Sequence, residues 1–188
     1  MDKADNRFKA YKFFAFLYSY PDDESFFNLL EEFYPFEDKT PLQELKKIPL
    51  PELQAEYTRL FVANYGGVPC KPYQSVFGPE KELLGGPAFD TAKFYNLFGL
   101  ETGNELPDKV SLQLDFMAFL WKLYNETPYR DDKQKLKLLM REFFNKHILW
   151  MEKFADCVVM STDFQPLKEL SEKFKDFLKE EKNFWKSI

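Results

Sequence analysis

"PDKVSLQLDFMAFLWKLYNE", residues 107–126, decides the fold class. Apolar side chains fall all round it: Val110, Leu112, Leu114, Phe116, Met117, Phe119, Leu120, Trp121 and Leu123. A helix that is apolar on every side is a buried one. This segment is therefore expected to be the central helix, with its neighbours wrapped around it. One charge interrupts it. Asp115, if buried alone, would be costly enough to demand a partner, either a cation on a neighbouring helix or a ligand. Asp108, just after Pro107, sits where a first-turn acid complements the helix dipole.

The flanking segments read as helices that present one apolar face. Upstream, Phe8, Tyr11, Ala15 and Tyr18 share a face of a first helix that Pro21 ends. "DDESFFNLLEEFYP" offers Asp22 or Asp23 as a cap and a stripe of Phe26, Leu29, Leu30 and Phe33. "TPLQELKKIP" places Thr40 as an N-cap before Pro41. From Pro51, "PELQAEYTRLFVA" puts Leu53, Tyr57, Leu60 and Phe61 on one side. "GPAFDTAKFYNLFGL" is a helix with Gly99 as its C-terminal signal. Downstream, residues 131–161 read as one long helix with a stripe of Leu136, Leu139, Phe143, Ile148, Trp150 and Met151. The last segment is a charged amphipathic helix with Leu167, Leu170, Phe174 and Phe177 inward.

No segment alternates strictly between hairpin turns, and the chain holds only 7 glycines, so strands are not expected. The fold class is all-α, a single-domain helical bundle over residues 1–188. A chain of this length buries about 70% of its extended surface and needs no metal staple. The longest non-helical stretch, residues 64–86, is the expected functional loop, because long loops in compact domains tend to carry function.

Composition narrows the function. A net charge of −5 and a pI near 5.1 disfavour nucleic acid, whose phosphates require a basic face. One His and 2 Cys are too few for a zinc or iron–sulfur site. The glycine pairs Gly66-Gly67 and Gly85-Gly86 precede no Gly-Lys-Ser/Thr and read as turns, so no nucleotide site and no cofactor are expected. No apolar run is long enough to span a membrane, and no signal-peptide cleavage site is visible. Cys70 and Cys157 form no C-x-x-C pattern, so both are expected as free thiols in a reducing cytoplasm. Two residues leave a catalytic alternative open. Cys70 has Lys71 beside it, and His147 is a helical histidine without a readable nucleophile partner, so a small thiol- or His-dependent hydrolase stands against a binding protein or a generic helical scaffold.

The remaining motif is "EYTRLFVANYGGVPCKPYQSVF", residues 56–77, where an amphipathic helix runs through Gly66-Gly67 into a proline-framed loop. It resembles the signature of the TorD/DmsD/NarJ family of redox-enzyme maturation chaperones, in which an aromatic-x-x-Leu-Phe helix precedes a P-P-Y-E-S-V-[YF] loop. The match lies in Tyr57, Leu60 and Phe61, then in Lys71, Pro72, Tyr73, Gln74, Ser75, Val76 and Phe77. "PDKVSLQLDFMAFL" resembles the family's second signature, a Pro-Asp-His that opens a helix. "HILWMEKF" resembles a third around His147, Ile148, Trp150 and Phe154, with tighter spacing. The three occur in family order over most of the chain. Two departures stand out: Lys109 replaces the family's His, and Gln74 its Glu.

The resemblance implies a cytoplasmic all-helical chaperone that is not an enzyme. It implies binding of the twin-arginine signal peptide, the apo form, or both, of a molybdopterin oxidoreductase catalytic subunit, with help in cofactor insertion and proofreading before export. The peptide-binding set it implies is Tyr57, Leu60, Phe61, Pro107 and Asp108, framed by Pro72, Tyr73 and Ser75. Lys109 and Asp115 are expected in the same peptide-binding set. Carboxylates beside an apolar groove suit two guanidinium groups followed by a helix-prone apolar segment. No membrane insertion is expected, and the protein is read as a monomer or homodimer.

Overall fold

Residues 3–78, 81, 83 and 85–187 are described by the structure, a computed structural model. Positions 79, 80, 82 and 84 of the expected loop lie outside the described residues. The order is α1 (Lys3–Leu17), α2 (Ser25–Phe33), α3 (Thr40–Leu45), α4 (Leu50–Tyr57), α5 (Gln74–Phe77), α6 (Gly86–Asn96), α7 (Val110–Glu126), α8 (Arg130–Phe143), α9 (Met151–Ser161) and α10 (Gln165–Lys186). The only extended pairing among the described residues is one isolated antiparallel bridge, Tyr73 with Lys109, so the protein is all-α.

α7 is the central helix that its sequence predicts. Val110, Leu114, Met117, Ala118 and Leu120 are wholly enclosed, and α1 packs along its length with α8 on another side. α10 lies on α9 and α3, and α2 on α1. The core between them is largely aromatic. Phe14 meets Phe174 at a ring separation of 4.5 Å, Tyr18 meets Phe154 at 5.0 Å, and Phe61 meets Phe154 at 5.8 Å. Such tilted and edge-on pairs add to simple area burial.

Local chemistry sets the helix ends. Asp23 Oδ1 accepts the Ser25 N–H at 2.8 Å at the start of α2. At α3 the acceptor is Asp38 Oδ1, 3.0 Å from the Thr40 N–H, so Thr40 is inside the helix rather than its cap. Gly99 has φ +66°, and the Leu100 N–H closes back on Tyr95 O at 3.1 Å, which stops the chain after α6 as its glycine signals. On α2, Phe27 is buried where the stripe pointed to Leu29, which is half-buried.

The expected long helix over residues 131–161 is two helices. The ladder widens into a π turn at Phe144–Ile148, where the Leu149 N–H reaches Phe144 O at 3.2 Å. A second π turn, Thr58–Val62, extends α4 and ends with the Ala63 N–H on Thr58 O at 2.8 Å. Asp115 is not enclosed: its side chain is half-exposed on α7 and pairs with Lys12 of α1. Among the described residues no helix is long and apolar enough to cross a membrane.

Candidate functional site

The loop after the first π turn is sewn to the start of α7. Pro72 O accepts the Val110 N–H at 2.9 Å, and Asp108 O accepts the Gln74 N–H at 3.0 Å, one on each side of the Tyr73–Lys109 bridge. Asp108 Oδ2 then accepts the Ser75 N–H at 2.8 Å. The two motifs, whose paired residues Ser75 and Asp108 are 33 positions apart, thus become one short ladder. Asp108 is fully enclosed, and its Oδ1, like Ser75 Oγ, has no hydrogen-bond partner. Pro107 O accepts the Tyr95 hydroxyl at 2.9 Å, which ties α6 to the same corner.

Each π turn releases a carbonyl to this loop. In the first, Leu60 O accepts the Cys70 N–H at 3.0 Å. In the second, Lys146 O accepts the Gln74 Nε2 amide at 2.7 Å. A π turn leaves main-chain groups outside the regular α ladder, and such turns cluster at functional sites. Phe77 closes the loop against α9, with its ring 5.2 Å from that of Trp150.

Beneath the ladder lies a polar network that draws on four segments. Gln74 Oε1 accepts from Gln113 Nε2 at 2.8 Å and from His147 Nδ1 at 2.9 Å. Gln113 Nε2 also reaches Thr91 Oγ1 at 3.1 Å, while its Oε1 accepts the Trp150 indole N–H at 2.9 Å. Thr91 spends its hydroxyl proton on Pro87 O at 2.8 Å, so His147 Nδ1, 3.0 Å from Thr91 Oγ1, must carry the ring proton. His147 Nε2 is then a bare lone pair. Asp90 Oδ2 stands 3.3 Å from it without forming a hydrogen bond. Burial holds the imidazole neutral, pushing its pKa down to about 4 against the opposing pull of Asp90.

The helix half of the motif is buried rather than open. Tyr57 and Leu60 are enclosed, Phe61 is 9% exposed, and the Tyr57 hydroxyl donates to Leu17 O at 2.5 Å. In this structure these three line the core and present no wall to a ligand, because the π turn rotates the last apolar pair inward. Their neighbours face out instead, with Val62 62% exposed and Tyr65 fully exposed. Of the loop residues, Pro72 and Ser75 are buried and Tyr73 is half-buried. Lys109 points away, to Glu105 at 3.0 Å.

Two features escaped the sequence reading. Glu56, 6% exposed, takes both nitrogens of the Arg59 fork at 2.7 and 2.8 Å, the Thr162 hydroxyl at 2.8 Å and the Asp163 N–H at 3.2 Å. Burial alone would raise its pKa, but these donors outweigh it and hold the carboxyl below its ordinary value. Arg59 also donates to Ser161 O at 2.6 Å, which clamps the motif helix to the end of α9. The second feature corrects the expectation of free thiols. Cys70 and Cys157 are joined in a disulfide, with their Cα atoms 5.8 Å apart. The loop carries Cys70 back under the first π turn to α9, and sequence distance gave no sign of that approach. The inference from free thiols to a reducing compartment loses its support, and so does Cys70 as a nucleophile. His147 faces amides and a threonine already bonded to a carbonyl, so no nucleophile–base pair forms there.

Residues 22–156 match the family model described as nitrate reductase delta subunit. Among solved structures, the chain is similar to a candidate redox enzyme maturation protein from Archaeoglobus fulgidus. The two are 28% identical with a TM-score of 0.68, over 92% of this chain and 93% of that one. No curated protein matches significantly.

Proposed function

From the premise that the chain belongs to the nitrate reductase delta subunit family, a family of redox-enzyme maturation chaperones and not of enzymes, we propose how it engages its client. The client is a molybdopterin-dependent oxidoreductase catalytic subunit. It is bound in the cytoplasm through its twin-arginine signal segment or its apo form, held for cofactor insertion, and proofread before export. The observation that carries this reading is the ladder that fuses the Pro72–Phe77 loop to Asp108 and Lys109, because it makes one rigid rim from two distant motifs. Preorganised rims bind without an ordering cost.

The division of labour follows burial. Tyr57, Leu60, Phe61, Pro72, Ser75 and Asp108 shape the rim from inside, and Asp115 is occupied by Lys12. Val62, Tyr65, Tyr73 and Pro107 meet the apolar part of the client segment. The test is calorimetric titration with a synthetic peptide bearing two arginines and an apolar helical stretch. Val62→Ser with Tyr65→Ser should weaken binding about tenfold with an unchanged melting temperature, since both side chains lie outside the core. Equal affinity in the variant would remove these residues from the site. Absence of binding by the unaltered protein would reject the signal-segment reading itself.

A further inference from the structure

α8 carries a row of cations that the client site leaves unused. Arg130, Lys133, Lys137 and Arg141 are spaced by three and four residues, so they share one face over about 16 Å of helix. They line an open groove of about 480 Å³ whose opposite wall is Tyr124 of α7. Lys133 Nζ lies 5.3 Å from the Tyr124 ring centre, which orients it along the groove. Leu138, 53% exposed, adds an apolar contact at the edge.

Three cations of this row, Arg130, Lys133 and Lys137, keep their charge available to a partner. Among the described residues no carboxylate pairs with Arg130, Lys133 or Lys137. Of the three acids of the same helix, Asp132 turns to Lys135 and Glu142 to Lys146. On a protein of net charge −5 this row is a local reversal of sign.

We propose that the groove between α7 and α8 docks a short acidic segment of a partner protein in extended conformation. Successive cations rise by about 4.5 to 6 Å, close to the roughly 6.6 Å between alternate side chains of an extended chain. Acidic residues on one side of such a segment meet the row, and an apolar residue between them meets Leu138 and Tyr124. A nucleic acid suits the groove less well, because the acidic remainder of the surface repels a polyanion that runs past it. This surface is separate from the loop rim, and its test stands apart from that of the client site.

The probe is a fluorescein-labelled hexaglutamate peptide, compared with its hexaglutamine analogue and with an oligothymidylate of similar length, read by anisotropy. The protein should bind hexaglutamate about tenfold more tightly than hexaglutamine at low salt, with the difference closing at high salt. Lys133→Gln with Lys137→Gln should abolish the preference. Arg130→Gln, on an exposed first-turn residue, should reduce it about threefold and serves as the second variant if the pair alters folding. Lys153→Gln with Lys168→Gln, exposed on other helices, should leave it intact. Equal binding of the two peptides, an equal loss in the Lys153 and Lys168 variant, or tighter binding of the oligonucleotide would overturn the proposal.

Discussion

At the scale of one residue, His147 is the most informative group, because it is the only histidine in the chain. Its folded-state pKa is depressed to about 4, while an unfolded histidine titrates near 6.5. Between these values the unfolded chain holds more protons, so the stabilisation is present above pH ~6.5 and is lost as pH falls toward ~4. The loss from this group amounts to about 3 kcal/mol. Glu181, raised by burial despite Arg7, works in the opposite direction, so the comparison should be made between the protein and His147→Gln. Denaturant unfolding at neutral and at acidic pH should show the gap between them shrinking with acid, and a constant gap would mean the ring is not held neutral. The departure at Gln74 fits the same network. Its amide donates to Lys146 O, which a carboxylate could not do, and Gln74→Glu should lift the His147 pKa in an NMR titration.

At the scale of the element, the two π turns decide what the motifs do. Leu60→Ala should cost about 2 to 5 kcal/mol in a urea titration, as for other enclosed leucines. A change near zero would place Leu60 at the surface and return it to the peptide wall. Here the limits of sequence reading are physical. α7 was legible because an all-round apolar helix has only one place to go, and Gly99 because a left-handed residue stops a helix. The π turns have no such signature. A one-residue widening at Thr58–Val62 alters which of Leu60, Phe61 and Val62 faces outward, and periodicity counted at 3.6 residues per turn cannot register it. The buried network was illegible for another reason, since Gln74, Thr91, Gln113 and His147 come from four segments and meet only in the folded chain.

At the scale of the whole molecule, the Cys70–Cys157 link joins residues 87 apart in sequence. In the chain-entropy picture a bridge of that span stabilises by about 4 to 5 kcal/mol. Thermal melts with and without a thiol reductant should therefore differ by many degrees, and coincident melts would mean that the thiols are free in solution. The same link gives the molecule a lasso-like connectivity. Residues 70–157 form a closed covalent ring that includes α7 and α8, and two tails leave it from one point. Those tails grip each other, through Arg7 with Glu181, Tyr18 with Ser171 and Glu56 with Thr162. A single peptide-bond cut within the ring thus yields two polypeptides that remain one molecule, and they separate on a gel only after reduction.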